Sequence, residues 1–113
     1  MNSSLEKEIN QLHAEFCAGL ADPKRLLILY TLAEKPRPVN ELVSCLGLSQ
    51  PAVSRHLKVL RERGMVNTTR NGPSVEYRLA DIRLIQALDL LREALRDHLT
   101  HRAELVEALT KTE

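Results

Sequence analysis

Two cysteines and a histidine are the side chains of this sequence best suited to binding a soft ion. Cys17 follows His13 by four residues, which places both on one side of a helix, and Cys45 stands in a later segment. Thiolates and imidazole bind arsenite or a soft divalent metal such as cadmium, so these three residues form a candidate ligand set. Oxidation to a disulfide is an alternative if the two Cα atoms lie within about 7 Å, although neither thiol has a cationic neighbour in sequence. The remaining interpretation is that both thiols are small buried hydrophobic residues.

Two further histidines, His98 and His101, stand three residues apart near the C-terminal end. If their helix packs against the first helix of a second copy, they approach His13 and Cys17 and extend the set of metal ligands. The simpler interpretation, which we favour, is a histidine at an interface and a histidine in solvent.

Basic residues are concentrated in one segment of a chain whose formal net charge is only +1. Between Gln50 and Leu79 there are six basic and two acidic residues, so this segment carries +4 and the remainder −3. The six are Arg55, Lys58, Arg61, Arg63, Arg70 and Arg78. Such a patch is typical of a surface that binds polyanions, and a solvated charged face is the alternative.

The elements that position these residues follow from apolar periodicity and turn residues. Ser3 and Glu6 match a capping box for a first helix over about residues 4–21, and a long last helix spans about residues 81–110. Both helices carry leucine-rich stripes that are too extensive for one small chain to cover. We therefore expect a homodimer held together through the first and last helices.

A helix-turn-helix is predicted at about residues 40–63, with Gly47 in the turn, and a β-hairpin follows at about residues 65–79. The fold class is therefore mainly α with a small β-hairpin, a single winged helix-turn-helix domain over residues 1–113. Val53, Leu57 and Leu60 face inward on the second helix of the motif. The candidate DNA-binding residues are Ser49, Gln50, Ser54, Arg55, His56, Lys58, Arg61 and Arg70.

The types of these residues suit double-stranded DNA. Gln50 and Ser54 can bind base edges in the major groove, whereas the cations of the same helix suit phosphates or guanine. His56 lies at the flank and can donate to a phosphate, and Arg70, next to the hairpin tip, is placed for the minor groove or the backbone. A two-fold dimer is expected to bind an inverted repeat.

Two strings, LADPKRLLIL at residues 20–29 and LSQPAVSRHLKVLRERGMV at residues 48–66, resemble the ArsR (arsenic-repressor) family of bacterial winged-helix regulators. The resemblance covers about residues 5–105. It implies a homodimeric repressor that is released from its operator by a metal, a metalloid or a thiol-oxidising signal.

The family's effector sites match only in part. On the third helix, Cys45 matches the second cysteine of the family's pair, but Val43 replaces the first. On the last helix, His101 and Glu104 match one half of the zinc-type site, and leucines stand at the other half. The resemblance therefore leaves the inducer open, and the zinc-type site is expected to be absent.

The composition excludes other classes of protein. With 113 residues, 43% hydrophobic and 27% charged, the chain fits one globular domain. It has no apolar run of the roughly 20 residues that a membrane span needs and no apolar signal segment, so a cytoplasmic location is expected. No motif for an enzyme is present. The alternatives to an inducible repressor are a winged-helix protein–protein adaptor and an effector-independent DNA-binding regulator.

Overall fold

The computed structural model describes residues 2–111, which form mainly helices and one β-hairpin. The helices are α1 (Ser3–Leu12), α2 (Ala18–Leu20), α3 (Pro23–Glu34), α4 (Val39–Leu46), α5 (Gln50–Glu62) and α6 (Arg83–Lys111). A π turn at His13–Cys17 lies between α1 and α2, and strands β1 (Val66–Asn71) and β2 (Ser74–Leu79) form the hairpin. The predicted fold class, a winged helix-turn-helix, is confirmed.

The chain divides into two compact units between Ile82 and Arg83. The prediction of one domain over residues 1–113 stays a prediction, and residue 1 and residues 112–113 lie outside the described residues. Among residues 2–111, no helix combines the length and the apolar character that crossing a membrane requires.

The core of the first unit is aliphatic, as the small number of aromatic residues predicts. On α5, Val53, Leu57 and Leu60 are fully buried, and their spacing of four and three residues places them on one face. They share the core with apolar residues of α3, α4, β1 and the turn before β1, which are Ile28, Leu29, Leu32, Leu42, Met65 and Val66. The inward face of α5 therefore agrees with the prediction, and its other face is left for solvent or a ligand.

Local signals fix the ends of the helices that carry the site. Asp22 begins α3, and its Oδ1 accepts hydrogen bonds from the backbone N–H groups of Lys24 (2.8 Å) and Arg25 (3.3 Å). Between α4 and α5, Gly47 adopts a left-handed conformation with φ of 65°, which a side chain would disfavour. Asp22 thus sets the start of α3, and Gly47 sets the turn of the helix-turn-helix.

The hairpin is held to the rest of the first unit by a third segment of extended chain. β1 and β2 pair antiparallel, from Val66 opposite Leu79 to Asn71 opposite Ser74. Arg37, in the loop between α3 and α4, pairs with Tyr77 through two backbone hydrogen bonds of 2.8 and 2.9 Å. The position of the hairpin is thus set by the loop that precedes α4.

The first helix differs from the prediction in two respects. Its N-terminal cap is Asn2, whose Oδ1 accepts from the N–H of Ser4 (2.9 Å), so the capping role predicted for Ser3 is wrong. The continuous helix predicted over residues 4–21 is interrupted by the π turn, in which the N–H of Ala18 donates to the carbonyl of His13. A single inserted residue leaves the spacing of the apolar side chains within helical limits, so periodicity does not reveal it.

The second unit is the single helix α6, which is about 43 Å long at 1.5 Å per residue. Ile85 and Leu88 are buried near its N-terminal end. Farther along, large apolar side chains are exposed, among them Leu91, Leu95, Leu99, Leu105, Val106 and Leu109. The helix begins two residues later than the predicted start at residue 81.

Candidate nucleic-acid interface

The outer face of α5 presents polar and cationic side chains to solvent. Gln50, Ser54, Lys58 and Arg61 follow one another at intervals of four, four and three residues, and all are exposed. They lie on one side of the helix because these intervals match the helical repeat. Arg55 is also exposed, at the edge of this face. The face has the residue types that read base edges and bind phosphates.

The cations of this face have no partner within the part of the chain that the structure describes. The side chains of Arg55, Lys58, Arg61 and Arg70 make neither a hydrogen bond nor an ion pair with any residue in 2–111. Their positive charge is therefore not neutralised locally and is available to an anionic ligand. Arg70 lies on β1 next to the hairpin turn, which places its exposed side chain at the tip of the wing.

Tyr77 is a residue of this interface that the sequence did not predict. Together with Ser54, Lys58, Arg61 and Glu62, it lines a cleft of about 480 Å³ between α5 and the hairpin. Two cations and two hydroxyl groups suit a phosphate, whereas the carboxylate of Glu62 repels an anion placed beside it. Tyr77 reaches this position because its backbone pairs with that of Arg37, and no local sequence signal predicts that pairing.

Of the predicted contact residues, Ser49 caps α5 and His56 lies near the carboxyl that caps α3. The hydroxyl oxygen of Ser49 accepts from the N–H of Ala52 (3.3 Å) at the start of α5, and this leaves the hydroxyl proton free to donate. His56 is half-buried rather than fully exposed. Burial raises the pKa of the Asp22 carboxyl, but hydrogen bonds from two backbone N–H groups and the charges of His56 and Arg25 hold that pKa below its ordinary value.

Both cysteines are exposed and free. The interpretation of these thiols as buried core residues is therefore wrong for the single chain. Cys45 lies on α4, and its Sγ accepts a hydrogen bond from Nη1 of Arg37 at 3.4 Å. Neither thiol has a cation adjacent to it in the sequence. Cys45 nevertheless contacts one, because Arg37, eight residues earlier in the loop between α3 and α4, reaches it in the fold.

Arg37 is the centre of a small polar cluster. Its side chain is only 13% exposed and bonds to Glu34 (2.8 Å), approaches Glu41 (3.8 Å) and donates to the carbonyl of Thr31 (3.4 Å). These contacts connect the end of α3 with α4, and the Arg37 backbone adds β2. Cys45 is thus linked through one residue, Arg37, to the strand that carries Tyr77: the Arg37 side chain contacts Cys45 and the Arg37 backbone pairs with Tyr77.

The predicted metal ligands do not come together within one chain. Across residues 2–111, no three His, Cys, Asp or Glu side chains lie close enough to hold a metal ion. His13 and Cys17 lie at the two ends of the π turn, whereas Cys45 is on α4. His98 and His101 are exposed on α6. A site formed by residues of two chains stays a prediction.

The α4–Gly47–α5 motif, the hairpin and the unpaired cations define a winged helix-turn-helix DNA-binding protein. Comparison with known proteins agrees with this class. The model for bacterial regulatory proteins of the arsR family matches residues 22–68. The HTH-type transcriptional repressor SmtB of Mycobacterium tuberculosis is 42% identical over 92 residues, which cover 80% of this chain and 68% of SmtB.

Solved structures show the same architecture. The transcriptional repressor BigR from Xylella fastidiosa superposes with a TM-score of 0.72 at 36% identity and covers 84% of this chain and 96% of its own. A homodimeric winged helix-turn-helix DNA-binding domain from Mycobacterium bovis gives a TM-score of 0.76 at 27% identity, over 89% and 93% of the two chains. The chain belongs to the ArsR family of bacterial regulatory proteins. It is a DNA-binding transcriptional repressor, and the prediction that it is not an enzyme is confirmed by its family.

Proposed function

We propose that this repressor binds an inverted repeat in double-stranded operator DNA as a homodimer, with α5 as the recognition helix. The observation that carries the proposal is the outer face of α5, whose exposed cations have no partner in residues 2–111. A helix with polar residues at its N-terminal end and cations along one side fits the major groove. Because its target is bacterial DNA, the proposal places the protein in the cytoplasm.

The residues divide into two roles in this proposal. Gln50 and Ser54, at the N-terminal end of α5, contact base edges and determine which sequence is bound. Arg55, Lys58 and Arg61 bind phosphates, with Ser49 and His56 as further donors at the edges. Arg70 at the wing tip binds the minor groove or the backbone. The hydroxyl of Tyr77 donates a hydrogen bond to the phosphate that enters the cleft beside Lys58.

The proposed dimer rests on apolar surface that is uncovered in the single chain. On α1, Leu5, Ile9 and Leu12 are each between 45% and 49% exposed, and α6 exposes a longer row of leucines. Exposed apolar surface of this extent marks an interaction site, and the related domain from Mycobacterium bovis is homodimeric. A two-fold dimer presents two copies of α5 to half-sites about 10 bp apart, or a multiple of that spacing.

Leu95→Glu tests the dimer. The substitution introduces a charge into the proposed interface, so we expect monomers or unfolded chains where the wild type is dimeric by light scattering at micromolar concentration. Arg96→Glu, at the next position of α6, is the matched control and leaves the dimer intact. A monomeric wild type contradicts the proposed dimer.

Operator titrations at several salt concentrations test the roles of the α5 residues. Lys58→Ala weakens binding to every DNA sequence and reduces the slope of log K against log salt by about 1. Gln50→Ala or Ser54→Ala relaxes the preference for the operator over unrelated DNA. Lys111→Ala, at the far end of α6, is the control. If all three α5 variants bind like the wild type, the placement of α5 is wrong, and the absence of any DNA affinity favours the protein–protein adaptor.

The finer proposal concerns release from the operator. Arsenite, a soft divalent metal or an oxidant reaches the exposed thiols of Cys17 and Cys45, with His13 as a further ligand across the dimer. Cys45 is suited to signalling because Arg37 connects its Sγ to the backbone of Tyr77, which lines the DNA cleft. A change of charge or volume at this thiol therefore disturbs the wing first.

Fluorescence anisotropy of labelled operator tests release. We expect at least one of four agents (arsenite, cadmium, zinc or a mild oxidant) to release the wild type from the operator. We expect the Cys45→Ser variant to bind the operator and to stay bound in the presence of that agent. Cys17→Ser distinguishes a site that uses both thiols from one that uses Cys45 alone. Identical responses of wild type and both variants to every agent mean that the signal enters elsewhere or that the regulator is effector-independent.

A further inference from the structure

Arg63 connects the end of α5 to the π turn of the first helix. It is the C-cap residue directly after α5, and its Nη1 donates to the backbone carbonyls of Ala14 and Glu15, the latter at 3.4 Å. A π turn shifts the helical hydrogen-bond pattern by one residue and opens the ladder to side-chain donors. Arg63 supplies such a donor from almost fifty residues away in sequence.

The surroundings of this contact leave little room for sliding. Gly19, two residues after the end of the π turn, is buried, and a Cβ atom on it would collide with the side-chain end of Met65. The same Cβ would lie 3.0 Å from Cδ of Arg63. Because Met65 is itself fully buried, the end of the first helix and the end of α5 are packed as one assembly.

A second arginine holds the same stretch of the first helix. Nε of Arg25 donates to the carbonyl of Gly19 (2.6 Å), and its Nη2 donates to the carbonyl of Ala18 (3.3 Å). The guanidinium of Arg25 thus satisfies carbonyls at the C-terminal end of this helix, where positive charge is favourable, whereas Arg63 donates to carbonyls inside the π turn. Only one of the two, Arg63, belongs to the helix end that leads into the DNA-binding face.

These contacts take Arg63 out of the set of cations that can meet DNA. In the sequence it belongs to the same basic segment as Lys58 and Arg61, whose side chains have no partner in residues 2–111. The guanidinium of Arg63 instead points its donors at the first helix. Any contribution that it makes to operator binding must therefore act through the position of α5.

We propose that Arg63 is a positioning residue that fixes α5 to the π turn, so that the first helix sets where the recognition helix lies on DNA. This inference rests on the proposed function of α5. The π turn has a competing state, a regular α-helix, whose register differs by one residue and whose preceding residues are rotated by about 100°. The hydrogen bonds of Arg63 favour the π state. His13 and Cys17 bound this turn, so a ligand on either one acts directly on the equilibrium.

Operator titrations of Arg63→Ala test this role. We expect about tenfold weaker binding with an unchanged salt slope, because no phosphate contact is removed. Arg61→Ala, two residues earlier, is the matched control and lowers both the affinity and the slope. Arg63→Lys keeps the charge and one donor, and we expect it to recover part of the lost affinity.

Circular dichroism and the fraction of DNA-competent protein show whether each variant is folded. If Arg63→Ala does not fold, Arg63→Lys tests the positioning role in its place. We then expect a severalfold loss of operator affinity with the salt slope of the wild type. An affinity equal to that of the wild type overturns the inference, and so does a slope reduced by about 1, which marks Arg63 as a phosphate contact. If the wild type itself binds no operator, the proposed function fails instead, and the positioning role fails with it.

Discussion

Basic residues on the outer face of α5 differ in their partners from the arginines at the junctions, which are the places where one helix contacts another. On the face, Arg55, Lys58 and Arg61 are exposed and have no partner in residues 2–111. At the junctions, Arg25 and Arg63 donate to backbone carbonyls of the first helix, and Arg37 binds two carboxylates, a carbonyl and a thiol. A count of basic residues therefore overstates the area of the DNA-binding surface, because only cations without internal partners can bind phosphate.

The largest effect on stability is expected at Arg25. Arg25→Ala removes two hydrogen bonds to the carbonyls of Ala18 and Gly19, one of them to a buried glycine, and lowers the free energy of unfolding by about 1.5–3 kcal/mol. Lys24→Ala, at the neighbouring exposed position, is the control and changes it by less than about 0.5 kcal/mol. Urea unfolding followed by circular dichroism measures both. Equal effects would remove the distinction between junction and surface cations.

A smaller effect is expected at Arg37. Arg37→Ala leaves its carboxylate partners in solvent, so the loss in the free energy of unfolding is about 1–2 kcal/mol. The wing loses a support, and DNA binding weakens with no change of salt slope. Arg78→Ala, the exposed neighbour of Tyr77 on β2, is the matched control for stability. A stable Arg37→Ala variant with full operator affinity contradicts the account of this cluster.

Arg70→Ala is expected to leave stability unchanged to within about 0.5 kcal/mol, because its side chain has no partner in residues 2–111. Its effect falls on DNA instead, as weaker binding with a smaller salt slope. Electrophoretic mobility shifts at two salt concentrations and a thermal melt separate the two quantities. A destabilised protein with an unchanged slope places Arg70 among the junction cations.

The smallest effect concerns the Asp22 cap beside His56. Because the pKa of this carboxyl is below its ordinary value of 3.8, its charge contributes stability above that value, and the contribution is lost as the pH falls through the folded-state pKa. The stability difference between wild type and Asp22→Ala is therefore full at about pH 7 and smaller at about pH 3. Asp22→Asn keeps the cap without the charge and is the control. A difference that does not change with pH contradicts the stabilising role of the charge.

Much of the fold could be predicted because local signals specify it. Asp22 before Pro23, Gly47 between two helices and the Gly72 turn each fix a boundary through backbone chemistry, and the burial of Val53, Leu57 and Leu60 follows from helical spacing. The π turn was missed because one extra residue does not disturb the apolar pattern.

The site was predictable only where it lies on one helix. The exposed residues of α5 follow from its periodicity, whereas Tyr77 and Arg37 reach their positions through pairing between distant segments. Arg63 could not be assigned from the sequence either, because its charge is evident there but its hydrogen bonds to the first helix depend on packing. Sequence patterns therefore identify which residue types are available, and tertiary contacts determine which are free.

The salt dependence of operator binding, measured across single alanine variants, separates the DNA-binding cations from the internal ones. We expect that alanine at Arg55, Lys58, Arg61 or Arg70 reduces the slope of log K against log salt by about 1 in each case. Alanine at Arg25, Arg37 or Arg63 leaves the slope at the wild-type value, whatever it does to affinity or stability. Equal slope changes in the two groups would contradict the division of these cations into a DNA-binding face and internal junctions.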